Sequence, residues 1–154
     1  MLDIKFFRQS MGACGPTSLR MVFDYYGLAM TEEEIIKLTN CDPEKGIEAE
    51  AIIKVGMDLG FTAFMENDAT LNDLREYVLN KKIPVIIDWF SHDDGHYSVV
   101  VNIDNEYIYL RDPEQKEINK IDLVTFERVW FDFPGDIMKT KDDLILRRFI
   151  AIYR

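Results

Sequence analysis

QSMGACGPTSLRMVFDYYG, running from Gln9 to Gly27, is the stretch that decides the fold. From Cys14 onward it reads as a helix. Pro16 suits a first helical turn, where its missing N–H costs nothing. Leu19, Val22, Phe23 and Tyr26 recur at helical spacing, and Gly27 suits the left-handed residue that ends a helix. Gln9 to Ala13 form the loop that feeds it. A cysteine opening a helix sits among unpaired N–H groups at the positive end of the helix dipole, and both stabilise a thiolate. Gly15 lets a carbonyl group approach the backbone closely. By position alone, a small buried structural cysteine is the plainer reading.

Outward from this helix, Thr31 and Glu34 form a capping box that opens a short helix to about Leu38. Glu48 to Leu59 reads as a third helix, with Ala51, Ile52, Val55 and Leu59 on one face and Gly60 as its stop. Phe61 to Met65 is a strand, and Thr70 caps a fourth helix through about Leu79. The period then changes. Ile83 to Phe90 is a continuous apolar run, read as a buried strand. Tyr97 to Ile103 and Tyr107 to Leu110 flank Asp104-Asn105-Glu106, a hairpin signal. Ile118 to Ile121 is a short strand, Asp122 to Trp130 a helix, and Leu144 to Tyr153 a final strand. Helices first and antiparallel strands later predict an α+β fold, with N-terminal helices packed on a C-terminal sheet.

Length and charge narrow the classes. At 154 residues, with no repeat or linker, the chain is expected to be one domain spanning residues 1–154. A hydrophobic share of 47% against 30% charged is globular rather than disordered. A net charge of −10 weighs against nucleic acid or an anionic membrane as partner. No apolar run approaches the roughly 18 residues of a membrane span, and no signal pattern opens the chain, so the expected location is the cytoplasm. The acid is concentrated. Residues 31–60 carry eight acids against three lysines, and residues 88–114 carry seven against Arg111 alone. A solvated surface explains both runs; a negative field favouring cationic or neutral substrates is the sharper alternative.

Cysteine and histidine are scarce: only Cys14, Cys41, His92 and His96. A thiolate nucleophile needs a general base, and His96 opens an apolar strand. Asp112 follows the next strand and could orient it. A two-residue turn at Asp104-Asn105 would set His96 against Pro113, leaving His96 and Asp112 on opposite faces. A three-residue loop, Ile103 to Asn105, would set His96 opposite Asp112. Catalysis therefore requires an odd-length loop or a bulge. Gln9 lies close enough to Cys14 to join the Cys14 N–H as a two-donor oxyanion hole. The rival chemistry is a metal cluster, His92-Asp93-Asp94-Gly95-His96 with Asp88, although it lacks any usual ligand spacing. Cys41 reads as a turn residue, and a Cys14–Cys41 disulfide is not expected in a reducing compartment.

Gln9 to Gly27, together with Gly95-His96-Tyr97-Ser98-Val99-Val100-Val101 and Tyr109-Leu110-Arg111-Asp112-Pro113, resembles the papain-like bacteriocin-processing peptidase family, which cuts after double-glycine leaders. The resemblance implies a papain-like fold. It also implies Cys14 as nucleophile, His96 as general base and acid, Asp112 as the residue orienting His96, and Gln9 as oxyanion donor, with no cofactor or metal. Many members of that family form part of a peptide-exporting transporter. This chain shows no membrane segment or nucleotide-binding loop and carries Ala13 where such members often carry Asp, so it resembles the stand-alone branch with no attached transporter, and leader cleavage is not implied. A peptide or protein substrate is implied. An amidase or acyltransferase on a small amide, and a silent peptide-binding module, are the alternatives.

Overall fold

The computed structural model describes residues 1–92 and 94–154. Helix α1 spans Cys14–Tyr25, α2 Glu32–Thr39 and α3 Ala49–Asp58. They precede strand β1 (Thr62–Glu66) and helix α4 (Leu71–Arg75). Then follow β2 (Val85–Ser91), β3 (Asp94–Ile103), β4 (Tyr107–Arg111), β5 (Asn119–Asp122), α5 (Leu123–Val129), β6 (Phe131–Asp132), β7 (Ile145–Leu146) and β8 (Arg148–Tyr153). Six strands form one antiparallel sheet in the order β1-β8-β2-β3-β4-β5, and β6 pairs with β7 separately. The fold is α+β, as expected.

Local chemistry explains most boundaries. Thr31 and Glu34 close a complete capping box on α2, and Thr70 and Asp73 another on α4. Asp122 caps α5 through the Thr125 N–H. Two expectations need correction. The helix predicted from Thr70 to Leu79 is α-helical only to Arg75, and residues Glu76–Asn80 wind as a wider π turn. That turn sets Tyr77 against Phe64 and Phe149, with ring centroids 6.0 and 5.2 Å away. The single last strand is broken at Arg147, whose φ of +48° is left-handed. There the chain leaves β6 for the main sheet, and the Arg147 N–H donates to the Trp130 carbonyl.

The sheet register assigns the faces. Trp89 pairs with His96 and Ile87 with Ser98, so these four share one face. Asp88 pairs with both Tyr97 and Arg148 and points to the other. Helix α1 lies on that second face, where Ser18 donates to the Tyr97 carbonyl at 3.2 Å. The core between the layers includes fully buried Phe23, Ile86, Ile150 and Ile152.

The β3–β4 hairpin supplies the condition that catalysis requires. The turn itself is tight: Asp104 N–H donates to Tyr107 O at 2.9 Å. Near it, Ile103 faces Ile108 and Asn102 faces Tyr109. The register then shifts at a bulge around Val101, so that Val100 faces Leu110 and Val99 faces Arg111. One extra residue changes which side chains share a face. It brings Asp112 onto the face of Ser98 and His96. Of the two devices that catalysis allows, an odd-length loop or a bulge, the chain uses the bulge.

Candidate active site

Cys14 is the first residue of α1, and Ala13 before it offers no side-chain cap to the first N–H groups. Those donors stay available to a ligand. The loop ahead of Cys14 is held from several directions. Glu32, opening α2, accepts from the Ser10 N–H at 2.8 Å and the Thr17 hydroxyl at 2.7 Å. Gly12 has φ +69°, and a Cβ there would lie 2.2 Å from the Pro43 carbonyl oxygen, so only glycine fits. Gln9 is fixed by its backbone, whose N–H donates to Pro113 O at 3.0 Å, while Arg8 donates to Glu114 O.

His96 and Asp112 meet. His96 Nε2 lies 3.1 Å from Asp112 Oδ1 and 3.0 Å from Oδ2. Cys14 lines the same cleft and its charge favours the imidazolium, and with Nε2 engaged by Asp112, Nδ1 is the nitrogen left for the thiol. Both side chains are buried. Burial disfavours the imidazolium, but hydrogen bonds and attraction from Asp112 and Cys14 outweigh it and raise the His96 pKa to about 10. Burial alone would raise the Asp112 pKa. The bond and charge of His96, the Glu114 N–H at 2.8 Å and the Ser98 hydroxyl at 2.8 Å together hold it below its ordinary value.

Two supports escaped the sequence reading. Ser98 donates to Asp112 and accepts from Trp89 Nε1 at 3.0 Å, so Trp89 fixes the serine that fixes the aspartate. The alternation of β3 placed Ser98 on the face of His96, but nothing in the sequence indicated that Trp89 lies across from it.

Gln9 lines the same cleft as Cys14 and His96, a space of about 700 Å³. Its amide N–H donates to Ser10 O at 3.3 Å, and its Oε1 is buried without a partner among the described residues. Cys14 and Cys41 are both free thiols. Cys41 donates to Gly12 O, and burial together with neighbouring Cys14 and acids pushes its pKa up to about 11. The rival metal cluster is not assembled among the described residues, and Asp93 lies outside them. His92 is exposed, at the left-handed φ of +55°, in the turn between β2 and β3. Among the described residues the one group near enough to share an ion is His96, Asp112 and exposed Glu114, in which the first two already bind each other. No described helix is long and apolar enough to cross a membrane.

Comparison with known proteins identifies the family. The peptidase C39 family model matches residues 5–133. The transport/processing ATP-binding protein ComA of Streptococcus pneumoniae is 30% identical over 122 residues, which are 76% of this chain and 16% of that protein. The chain thus spans about a sixth of the length of that curated relative. Among solved structures, a double-glycine-motif protease from an AMS/PCAT transporter, in complex with its leader peptide, superposes with a TM-score of 0.75 at 20% identity. The alignment covers 99% of this chain and 92% of that one. A C39-like peptidase from Bacillus anthracis gives 0.73 at 15% identity, covering 100% and 96%. A layered α+β fold with these matches is the papain-like peptidase fold, and the chain belongs to the peptidase C39 family.

Proposed function

We propose that residues 1–154 form one cysteine peptidase domain that hydrolyses a peptide bond with Cys14 as nucleophile. The reading rests above all on one arrangement: a buried Asp112 carboxylate grips one nitrogen of His96 in the cleft that also holds a cysteine at an uncapped helix start. His96 takes the thiol proton, and the thiolate attacks the carbonyl carbon. The Cys14 N–H and the Gln9 amide donate to the oxygen as it becomes an oxyanion. Protonated His96 then gives its proton to the leaving amine. Water attacks the acyl-enzyme in the same manner and frees Cys14.

A relative solved with its leader peptide supports a peptide as the ligand class. The reaction belongs in a reducing compartment, the cytoplasm, where the thiol survives. The test is digestion of a peptide library read by mass spectrometry, with Cys14→Ala as control. Products that vanish in Cys14→Ala are expected. No Cys14-dependent product, together with Cys14 alkylated no faster than Cys41 at neutral pH, would overturn the reading.

A further inference from the structure

We propose that Asp88 and Asp132 form a cation subsite in the cleft, taking an ammonium or guanidinium group of the substrate next to the bond presented to Cys14. The proposal names a substrate class for the peptidase reading above and rests on it.

Asp88 is 1% exposed, yet it lines the cleft, and among the described residues its Oδ1 has no hydrogen-bond donor. A buried carboxylate oxygen without a donor is costly, so such a site favours a ligand that supplies one. Its other oxygen, Oδ2, lies 3.9 Å from Arg148 Nη1, beyond hydrogen-bond distance, and the Arg148 guanidinium is held through Nε by Asn67 at 2.7 Å. Asp132, on β6, comes from the other wall. Its carboxylate occupies the space a side chain at residue 95 would need: a Cβ on Gly95 would lie 2.5 Å from both oxygens. Oδ1 of Asp132 accepts from the Phe133 N–H at 2.7 Å.

The two carboxyls face each other closely enough that Asp132 favours a proton on Asp88. Burial first, and Asp132 second, push Asp88 well above the ordinary carboxylate range, against the pull of Arg148. Tyr97 from β3 and Cys14 from α1 are the other titratable groups facing Asp88. A substrate cation would take the place of that proton. The Asp88 carboxylic acid releases one H⁺ to solvent, and the carboxylate pairs with the incoming N–H donors. Among the described residues the cleft wall carries, besides Asp88, six further carboxylates against Lys45, so the surrounding field favours the same charge.

Three methanethiosulfonate reagents test this in a Cys41→Ser background: aminoethyl (cationic), methyl (neutral) and sulfonatoethyl (anionic). Each forms a mixed disulfide with Cys14 and releases methanesulfinate, so the readout needs no peptidase activity. Rate ratios cancel the thiolate fraction, because every reagent meets the same sulfur. The cationic reagent is expected to outpace the anionic one by at least about tenfold. Asp132→Asn, which keeps an acceptor for the Phe133 N–H, should cut that ratio by about fivefold or more, and Asp88→Asn should act in the same direction. Glu44→Gln on the rim should change it less than about twofold at 0.15 M salt. A ratio unaffected by Asp132→Asn, or equally affected by Glu44→Gln, overturns the subsite. A preference that stands while no peptide is cleaved overturns the peptidase reading and leaves the subsite intact.

Discussion

Asp112→Asn isolates the charge of Asp112 from its geometry. The amide oxygen can stay on His96 Nε2 and the Glu114 N–H, and the amide NH₂ can donate to Ser98 Oγ, which already accepts from Trp89. Orientation therefore survives and the negative charge does not. For a charge pair at 3.0 Å, an effective dielectric of about 20 gives roughly 5 kcal/mol. At 1.36 kcal/mol per pH unit, that is about 4 units, and the retained neutral hydrogen bond offsets part of it. The expected fall in the His96 pKa is about 2–3 units from the wild-type value near 10. Imidazole NMR with labelled histidine measures this directly, because the chain has only two histidines and His92 is exposed. The linkage sign follows from a folded pKa raised above the unfolded value. His96 contributes stability that is fully present below pH about 6.5 and is lost as pH rises toward 10. That alkaline loss should shrink in the variant. A His96 titration within about half a unit of wild type would refute the assignment of its raised pKa to the Asp112 charge.

Further outcomes follow from the same contacts. Gly12→Ala must relieve both a left-handed φ and a clash with Pro43 backbone, so urea unfolding should show a loss of more than about 1 kcal/mol; a loss under 0.5 would contradict it. Ser98→Ala strands the Trp89 N–H and removes a donor from Asp112, and about 1–3 kcal/mol of stability should go with it. Gln9→Ala should lower kcat by about 10²- to 10³-fold with little change in KM, as expected when a donor acts on developing charge; a pure KM effect would argue for ground-state binding instead. Cys41 should alkylate far more slowly than Cys14 at pH 7, since burial holds its thiol protonated.

Much of this was legible because its signals are local. Pro16, the Thr31–Glu34 box and the apolar run from Ile83 announce their elements within a few residues of themselves. Cys14, His96 and Asp112 were nominated by their places at element ends, and the structure brings these three side chains together. What was not legible depends on partners distant in the chain. The left-handed Arg147 answers to Trp130, and the Trp89–Ser98–Asp112 chain depends on a register that no single segment encodes. The Val101 bulge was only a requirement, since Val-Val-Val carries no mark of which residue will be extra. Asp88 was noted only as a possible metal ligand. Its pairing with Asp132 awaited β6, a strand too short to announce itself.

The bulge has one more consequence. The extra residue leaves a carbonyl out of the ladder, and the Leu2 N–H takes it at 2.8 Å. From there the first residues run along the sheet, giving the Ile4 carbonyl to Arg111 and the Gln9 N–H to Pro113. The irregularity that aligns His96 with Asp112 is thus also the mooring for the segment that delivers Gln9 and Cys14. Groups about a hundred residues apart in sequence meet only when the N-terminal segment is seated on the β3–β4 hairpin. A half-folded chain holds a cysteine and a histidine but no matched pair, so its thiol stays quiet until the last tie is made.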